Sequence, residues 1–495
     1  MDEDTVIVLL GASGDLAAKK LYPALFNLYR RDMLSPGTRI IGIDPTPMSH
    51  EEFTDHMKKS IGVHETDLAK KCARFCEICH YITLKTDEGD KSFEELRDLM
   101  ESFQNKEKQQ HRLFYMALPP KIYVSVSEQL KRCCKDEKTV SRVIVEKPFG
   151  RDLETSIDLH KKLAPNWSED EIFRIDHYLG KEMVKNMIVL RFGNPMFGAV
   201  WDCNHIDNIQ ISMTEAIGTE RRGGYFDDVG VIRDIMQNHL TQILALITME
   251  RPGSFSAEDL RQEKARVLRL VPPVDIKNTI LGQYSKSADG QKPGYKDDDT
   301  VPKDSCCATF CTTVAYVKNA RWEGVPFILK AGKGMETSSP PLLNPFRLPA
   351  LAESKTEIRI QLKDTTAAML YNTMHNELII RIQPQEGVRL KMNAKAPGLE
   401  LKTIATELDL TYKGIVDNPD LPEAYEALLR DAIEGDLSLS VREDELEASW
   451  RIWTPLLKKI EKDEGVELEE YAYGSEGPEK LKEFIGGYQY LGEKQ

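Results

Sequence analysis

The stretch Thr5-Val6-Ile7-Val8-Leu9-Leu10-Gly11-Ala12-Ser13-Gly14-Asp15-Leu16-Ala17 decides the fold. A short β-branched, apolar run is followed at once by two glycines three apart and then by a helical pattern that continues through Tyr29. This predicts a strand, a glycine turn and a helix. Gly11 and Gly14 let the backbone turn tightly, and the amides at the helix start make a seat for a pyrophosphate. Gly11, Ala12, Ser13, Gly14, Asp15 and Leu16 are therefore candidate cofactor contacts. The motif is not GxGxxG, and the competing reading is any strand-to-helix turn that needs glycine.

Working outward, residues 39–43 (RIIGI) predict a second strand ending at Asp44, the position where a dinucleotide fold reads the adenosine ribose. An acid there accepts hydrogen bonds from the free 2′-hydroxyl of NAD, whereas NADP needs a cation for its 2′-phosphate. The tip here, Asp44-Pro45-Thr46-Pro47, has no arginine. The helix and strand alternation continues through 113–118 (LFYMAL), a turn at Pro119-Pro120, a helix carrying Tyr123, and a strand at 143–145. Repeated βαβ units imply a parallel sheet with its ligand crevice at the carboxyl ends of the strands. The segment Glu146-Lys147-Pro148-Phe149-Gly150 arrives at that edge. Lys147 either reaches into the crevice or is a solvated loop lysine, and the peptide bond before Pro148 is a candidate for cis.

A further strand, 171–175 (EIFRI), delivers Arg174-Ile175-Asp176-His177-Tyr178-Leu179-Gly180-Lys181-Glu182 to the same crevice. If a helix begins near Tyr178, His177 and Lys181 project from one face and can grip one anion together. The bland alternative is a solvated helix start capped by Asp176. Residues 206–216 alternate as a half-buried strand ending near Glu215, 218–224 (GTERRGG) form a basic glycine-rich loop, and 231–246 read as a helix carrying Asp234, Asn238 and His239 on one side.

Residues 285–304 read as a loop, and from Cys306 the pattern turns to β-rich runs that alternate as an antiparallel sheet does. Lys330 and Lys333, in FILKAGKGM, follow a strand end where glycines bring a lysine to a phosphate. Residues 335–352 read as a surface loop, helices return from Pro422 with Trp450 and Trp453 as core or interface, and the acidic tail from Glu461 reads as solvated.

At 495 residues the chain implies two or more domains. A formal net charge of -14 argues against a nucleic-acid partner or an anionic membrane, because both need a basic face. Nine cysteines and the lack of an apolar span fit a soluble, cytoplasmic protein. Cys72, Cys76, Cys79 and His80 have a spacing that invites zinc, but no second ligand pair follows, and a buried helical face explains Cys76 and Cys79 equally well. No metal is expected.

The motifs RIDHYLGKE, GASGDLA, EKPFG, RDIMQNHL, ALPP, LRFGNPMFG, GTERRGGYFDDVG, PFILKAGKG, NELIIRIQP, LDLTY and YEALLRDAI resemble, nearly end to end along the chain, those of the glucose-6-phosphate dehydrogenase family. The resemblance implies an α/β Rossmann dinucleotide-binding domain over 1–175, followed by a larger α+β domain over 176–495 with a mainly antiparallel sheet through which a homodimer or homotetramer forms. It implies oxidation of glucose 6-phosphate to 6-phosphogluconolactone with NADP, the opening step of the oxidative pentose phosphate pathway. His239 would be the general base and Asp176 its partner. His177, Tyr178 and Lys181 would bind the phosphate with help from Lys333, and Glu215, Asp234 and Gln383 would hold sugar hydroxyls. Lys147 and Pro148 would lie between substrate and cofactor, with Tyr123 beside the cofactor. The chain departs from the family at Asp44-Pro45, where an arginine for the 2′-phosphate is usual, so NAD or dual use is an alternative. Glu476 replaces an arginine of the family's structural second NADP site, although Lys355, Arg359 and Lys391 resemble parts of it. Action on free glucose or another hexose phosphate, and a non-catalytic nucleotide-binding regulator, are the other readings.

Overall fold

The computed structural model describes residues 4–63, 66–85, 89–105, 108–136, 138–336, 354–364, 373–411, 421–462 and 466–488. Nearly all of the 335–352 segment read as a surface loop lies outside the described residues. Six strands, β1 (Asp4–Leu10), β2 (Arg39–Asp44), β3 (Cys79–Thr83), β4 (Gln110–Met116), β5 (Val140–Glu146) and β6 (Ile172–Ile175), form one sheet in the order β3-β2-β1-β4-β5-β6. Every neighbouring pair is parallel. Strand order reverses between β1 and β4, which opens a crevice beside the glycine turn. Val6 to Leu10 are all buried because helices cover both faces of this sheet. At the end of β1, Gly11 adopts φ +90, and a Cβ there would stand 2.2 Å from the Ala117 carbonyl oxygen, so only glycine fits.

The second sheet holds β7 (Ile206–Glu215), β8 (Thr279–Ser285), β9 (Phe310–Ala315), β10 (Phe327–Gly332), β11 (Ser354–Leu362), β12 (Glu377–Gln383), β13 (Gly387–Lys395), β14 (Thr403–Thr411) and β15 (Leu468–Ala472). Their order is β14-β13-β12-β11-β7-β10-β9-β8-β15. It is mainly antiparallel, with parallel pairs at β7·β10 and β8·β15. The segment Ile232–Leu240, which winds as a π-helix, packs on β7 and β10 and continues into the helix Thr241–Thr248. Trp450 and Trp453 are buried on the helix Glu443–Glu461, their indole nitrogens bonded to the Phe149 carbonyl and the Thr241 hydroxyl. No helix among the described residues is long and apolar enough to cross a membrane.

Three expectations are corrected. Residues 176–181 form a turn, and the helix starts only at Glu182 (Glu182–Gly193). The Asp176 carboxylate accepts the Tyr178 amide at 2.9 Å, and such a local side-chain bond competes with helix formation. The acidic tail is not wholly solvated: β15 closes the sheet edge, because Tyr471 gains burial against Phe310 and Tyr284 while the tail's acids stay at the edge. Cys72 and Cys76 ride on the helix Thr66–Glu77, whereas Cys79 starts β3, so Cys76 and Cys79 share no helical face.

One helix of the second half, Ala424–Glu434, returns to the first sheet and packs on the helix Tyr22–Arg30. Its buried Glu426 accepts the Asn27 amide at 2.9 Å and pairs with Arg31 at 2.8 Å. The same helix start fixes the turn after Asp176: a Cβ on Gly180 would lie 2.4 Å from the Ala424 carbonyl oxygen.

Candidate active site

The end of β6 and the π-helical segment bring Asp176 and His239 together although 63 positions separate them. The Asp176 Oδ1 and His239 Nδ1 atoms are 2.5 Å apart, and the side chains are 3% and 2% exposed, so water does not screen the pair. Burial works to raise the Asp176 carboxyl, but the His239 imidazole beside it wins and holds it well below the usual carboxylate range. Burial and then the nearby Lys147 ammonium lower the His239 imidazole below its ordinary value, against the pull of Asp176 in the other direction. His239 is thus neutral near pH 7, with the Nδ1 proton on the side of Asp176 and Nε2 accepting from the Lys147 ammonium.

Lys147 comes from the loop after β5, across a cis Lys147-Pro148 bond. Its ammonium lies 3.0 Å from His239 Nε2 and donates to the Asp234 carbonyl at 2.8 Å. Lys333, just past β10, pairs with Glu215 and with Asp234 at 3.0 Å. Burial opposes the Lys333 charge, but Asp234 and Glu215 together push its ammonium above its ordinary value. Asp234 is held well below the carboxylate range by Lys147 and Lys333 despite its burial. Two lysines and three acids from separate segments therefore alternate in charge around one point. Asn238, expected on the same side as Asp234, instead turns its amide back to the Arg233 carbonyl at 3.0 Å.

His177, Tyr178 and Lys181 gather at the other end, held by the turn rather than by one helical face. The Tyr178 ring lies against His239 with centroids 4.3 Å apart, and its hydroxyl meets Thr356 at 3.1 Å and the Gln383 amide at 3.2 Å. The Lys181 ammonium sits 5.1 Å above the Tyr178 ring, and the His177 ring lies edge-on to His239 at 4.7 Å. Burial lowers both His177 and Lys181. An anion here would favour the charged form of both. Lys330, in contrast, lies within β10 and faces away towards Lys355 and Glu357. It does not join the site.

The glycine turn fits a dinucleotide. The helix that follows begins at Asp15, directly after Gly14, so the amides of its first turn lie at the glycine turn where an anion can sit. Tyr123 is buried beside the crevice and donates to the Glu146 carbonyl at 3.0 Å. Asp44 accepts the Thr46 amide at 2.9 Å and the Ser13 amide at 3.3 Å. Burial raises the Asp44 carboxyl, yet these bonds prevail and keep it ionised. One amide of the turn thus faces Asp44, and the nearby Lys19 is engaged with Asp15 at 2.8 Å. Where the residues resemble parts of the family's second NADP site, Arg359 pairs with Glu357 at 2.7 Å, Lys391 with Glu377 at 3.4 Å and Lys355 with Glu357 at 3.7 Å. Acids on the same sheet neutralise those cations, and Glu476 turns to Lys482.

A cleft of about 310 Å³ opens at the lysine and acid cluster, lined by Lys147, Pro148, Glu215, Asp234 and Lys333 and also by Thr219, Arg222, Tyr225 and Arg233. The last four do not stand out in the sequence as site residues; the basic loop 218–224 signals only Thr219 and Arg222. Thr356, Glu146 and Tyr425 likewise emerge only from the structure. Glu146 accepts the Tyr115 hydroxyl at 2.6 Å and bonds Tyr425, whose ring stacks on His177 at 6.0 Å. Among the described residues the cysteines form no metal-ligand cluster; Asp176, His177 and His239 place ligand atoms within 4.8 Å of one another, but the Lys147 cation lies against that set.

A parallel sheet with a glycine turn, a second sheet carrying cations, and a buried histidine-carboxylate pair between them define an oxidoreductase of the dinucleotide-dependent class. Residues 8–186 match the profile of the glucose-6-phosphate dehydrogenase NAD binding domain, and 188–490 match that of the C-terminal domain. The glucose-6-phosphate 1-dehydrogenase of Emericella nidulans is 53% identical over 490 residues, covering 99% of this chain and 93% of its own, and that of Aspergillus niger is 52% identical over 490 residues with the same coverage. A solved glucose-6-phosphate dehydrogenase in complex with its substrate glucose-6-phosphate superposes with a TM-score of 0.93 at 46% identity, covering 100% of this chain and 99% of that one. The chain belongs to the glucose-6-phosphate dehydrogenase family.

Proposed function

We propose that this chain oxidises glucose 6-phosphate at its anomeric carbon to 6-phosphogluconolactone. The observation that carries the reading is the buried Asp176–His239 pair at 2.5 Å, with the Lys147 ammonium 3.0 Å from His239 Nε2. His239 takes the proton of the anomeric hydroxyl at Nε2, and Asp176 stabilises the imidazolium that forms. A bound nicotinamide dinucleotide supplies the hydride acceptor. Lys147 holds the hydroxyl end of the sugar beside His239, while Glu215, Asp234 and Gln383 take sugar hydroxyls. His177, Tyr178 and Lys181 bind the phosphate, and Lys333 orients the two acids beside it. The turn 11–16, Tyr123 and Pro148 contact the cofactor. Residues 1–175 act as the dinucleotide domain and 176–495 as the substrate and assembly domain.

Family membership supports NADP as the acceptor. A second reading, NAD or dual use, is favoured by one observation: the ionised Asp44 stands at the ribose end of β2 and bonds the Ser13 and Thr46 amides. The exposed Met392, Ile404, Leu408 and Leu410 on β13 and β14 support assembly through the second sheet as a homodimer or homotetramer. Nine free cysteines suit the cytoplasm. Initial rates with glucose 6-phosphate and glucose, each with NADP and NAD, test the reading. Turnover of the phosphate sugar that falls by about 10³-fold or more in His239→Asn supports it. A normal rate in that variant rejects the base, and no turnover with any pair leaves a non-catalytic regulator. In Asp44→Ala the NAD to NADP efficiency ratio is expected to fall.

A further inference from the structure

The Lys333 ammonium meets Glu215 and Asp234 only if its backbone is closely placed, and the residues that place it come from β15 and the turn after it. Lys333 lies in the short loop that leaves β10. On one side this loop is tied to β7 and the residues that follow it: the Gly334 amide donates to the Ile217 carbonyl at 2.9 Å and the Met335 amide to the Glu215 carbonyl at 2.9 Å. On the other side it is tied to the tail. The Tyr471 hydroxyl donates to the Lys333 carbonyl at 2.7 Å, the Gly474 amide to the Gly334 carbonyl at 2.7 Å, and the Glu336 amide to the Ser475 carbonyl at 2.8 Å. Thr309 closes the circuit, since its hydroxyl meets the Tyr471 oxygen at 2.9 Å and its carbonyl accepts the Lys333 amide at 3.0 Å. A second phenol reaches the loop on the opposite side of the cleft: the Gly218 amide donates to the Tyr473 oxygen at 3.0 Å.

We propose that Tyr471 and Tyr473 are positioning residues for substrate binding: the strand β15 and its turn hold the Lys333 loop and the 218–224 loop at the spacing that the sugar phosphate requires. This rests on the proposed function. The physical reason is that glycines at 218, 332 and 334 give both loops a backbone freedom that only an outside partner removes. A phenol serves well as that partner. The Tyr471 ring packs in the core against Phe310 and Tyr284, the Tyr473 ring packs against Tyr284, and each single hydroxyl reaches a main-chain group. Neither residue carries charge to the substrate or touches the reacting atoms; they act through Lys333 and the Gly218 loop.

Tyr471→Phe keeps the ring and removes the hydroxyl. It is expected to raise KM for glucose 6-phosphate roughly fivefold, with KM for the dinucleotide and the melting temperature nearly unchanged. A purely structural role would shift melting and both Michaelis constants together. The decisive comparison is made in a Lys333→Met background, where Tyr471→Phe is expected to change KM by less than about twofold, because the residue through which it acts is gone. Equal effects in the two backgrounds overturn the proposal, as does a wild-type KM in Tyr471→Phe itself. Crystal structures of the variant give a reading independent of turnover: Lys333 contacts to Glu215 and Asp234 that are unchanged from the parent also overturn it. If the parent enzyme neither binds nor oxidises glucose 6-phosphate, the functional reading fails by itself, and the crystallographic comparison still decides whether Tyr471 places Lys333.

Discussion

At His239 two pairs of influences oppose each other: burial and Lys147 favour the neutral ring, and Asp176 and Asp234 favour the cation. The first two win, so the ring stays neutral to a pH below its ordinary 6.5. With His239 as the proposed base, catalysis is expected above the folded value and its loss is expected as the pH falls through it. The acid limb of kcat/KM, corrected for the phosphate's own ionisation near about 6, is therefore expected below pH 6.5. Asp176→Asn removes the strongest influence that raises the ring, so the limb moves to still lower pH while kcat falls by about 10³-fold. A limb that moves upward would falsify this account of the pair. Both residues are legible from their types and motifs, Asp176 beside His177 after a strand and His239 on a helix with Asp234 and Asn238. Their contact is not, since no spacing rule links positions 63 apart. Glu146 and Tyr425 stay hidden in the sequence because each looks ordinary in its own neighbourhood and gains meaning only across the fold.

Among elements, the parallel strands are the most readable, because helices on both faces demand unbroken apolar runs. The turn at 176–181 is not, since its pattern of four-residue spacing also suits a helix. An aspartate bonding the backbone two residues on, and Gly180 pressed against Ala424, decide the outcome. β15 is masked by its glutamates, which describe the exposed edge and not the buried tyrosine. The π-helical winding of Ile232–Leu240 leaves the apolar pattern nearly unchanged, and such winding is frequent at functional sites. The glycine turn carries the clearest prediction at this scale. In Gly11→Ala the added methyl meets the Ala117 carbonyl and the backbone must hold a positive φ. Destabilisation of about 3 kcal/mol or more is expected in chemical denaturation, with loss of protection by dinucleotide. Unchanged stability would mean that the turn relaxes without cost.

Across the whole molecule, the division into a dinucleotide sheet and a larger mixed sheet follows from the change in strand pattern near residue 206, where unbroken apolar runs give way to alternation. How the halves join is not legible, because the helix Ala424–Glu434 that does so lies far beyond the junction in a stretch of plain amphipathic sequence. The exposed face of β13 and β14 sets a test of assembly. Leu410→Asp places a charge on that face, and sedimentation velocity is expected to show a smaller species with its far-ultraviolet spectrum retained. A particle of unchanged mass would direct the search for the contact elsewhere.

The tie made by Glu426 bears on motion. Pulling the helix Ala424–Glu434 off the helix Tyr22–Arg30 breaks a buried carboxylate's bonds to Asn27 and Arg31, at a cost of about 3–5 kcal/mol. That helix is thus fastened to the first sheet. Because the helix start at Ala424 also abuts Gly180, the same fastening holds the turn that follows Asp176 against the dinucleotide sheet.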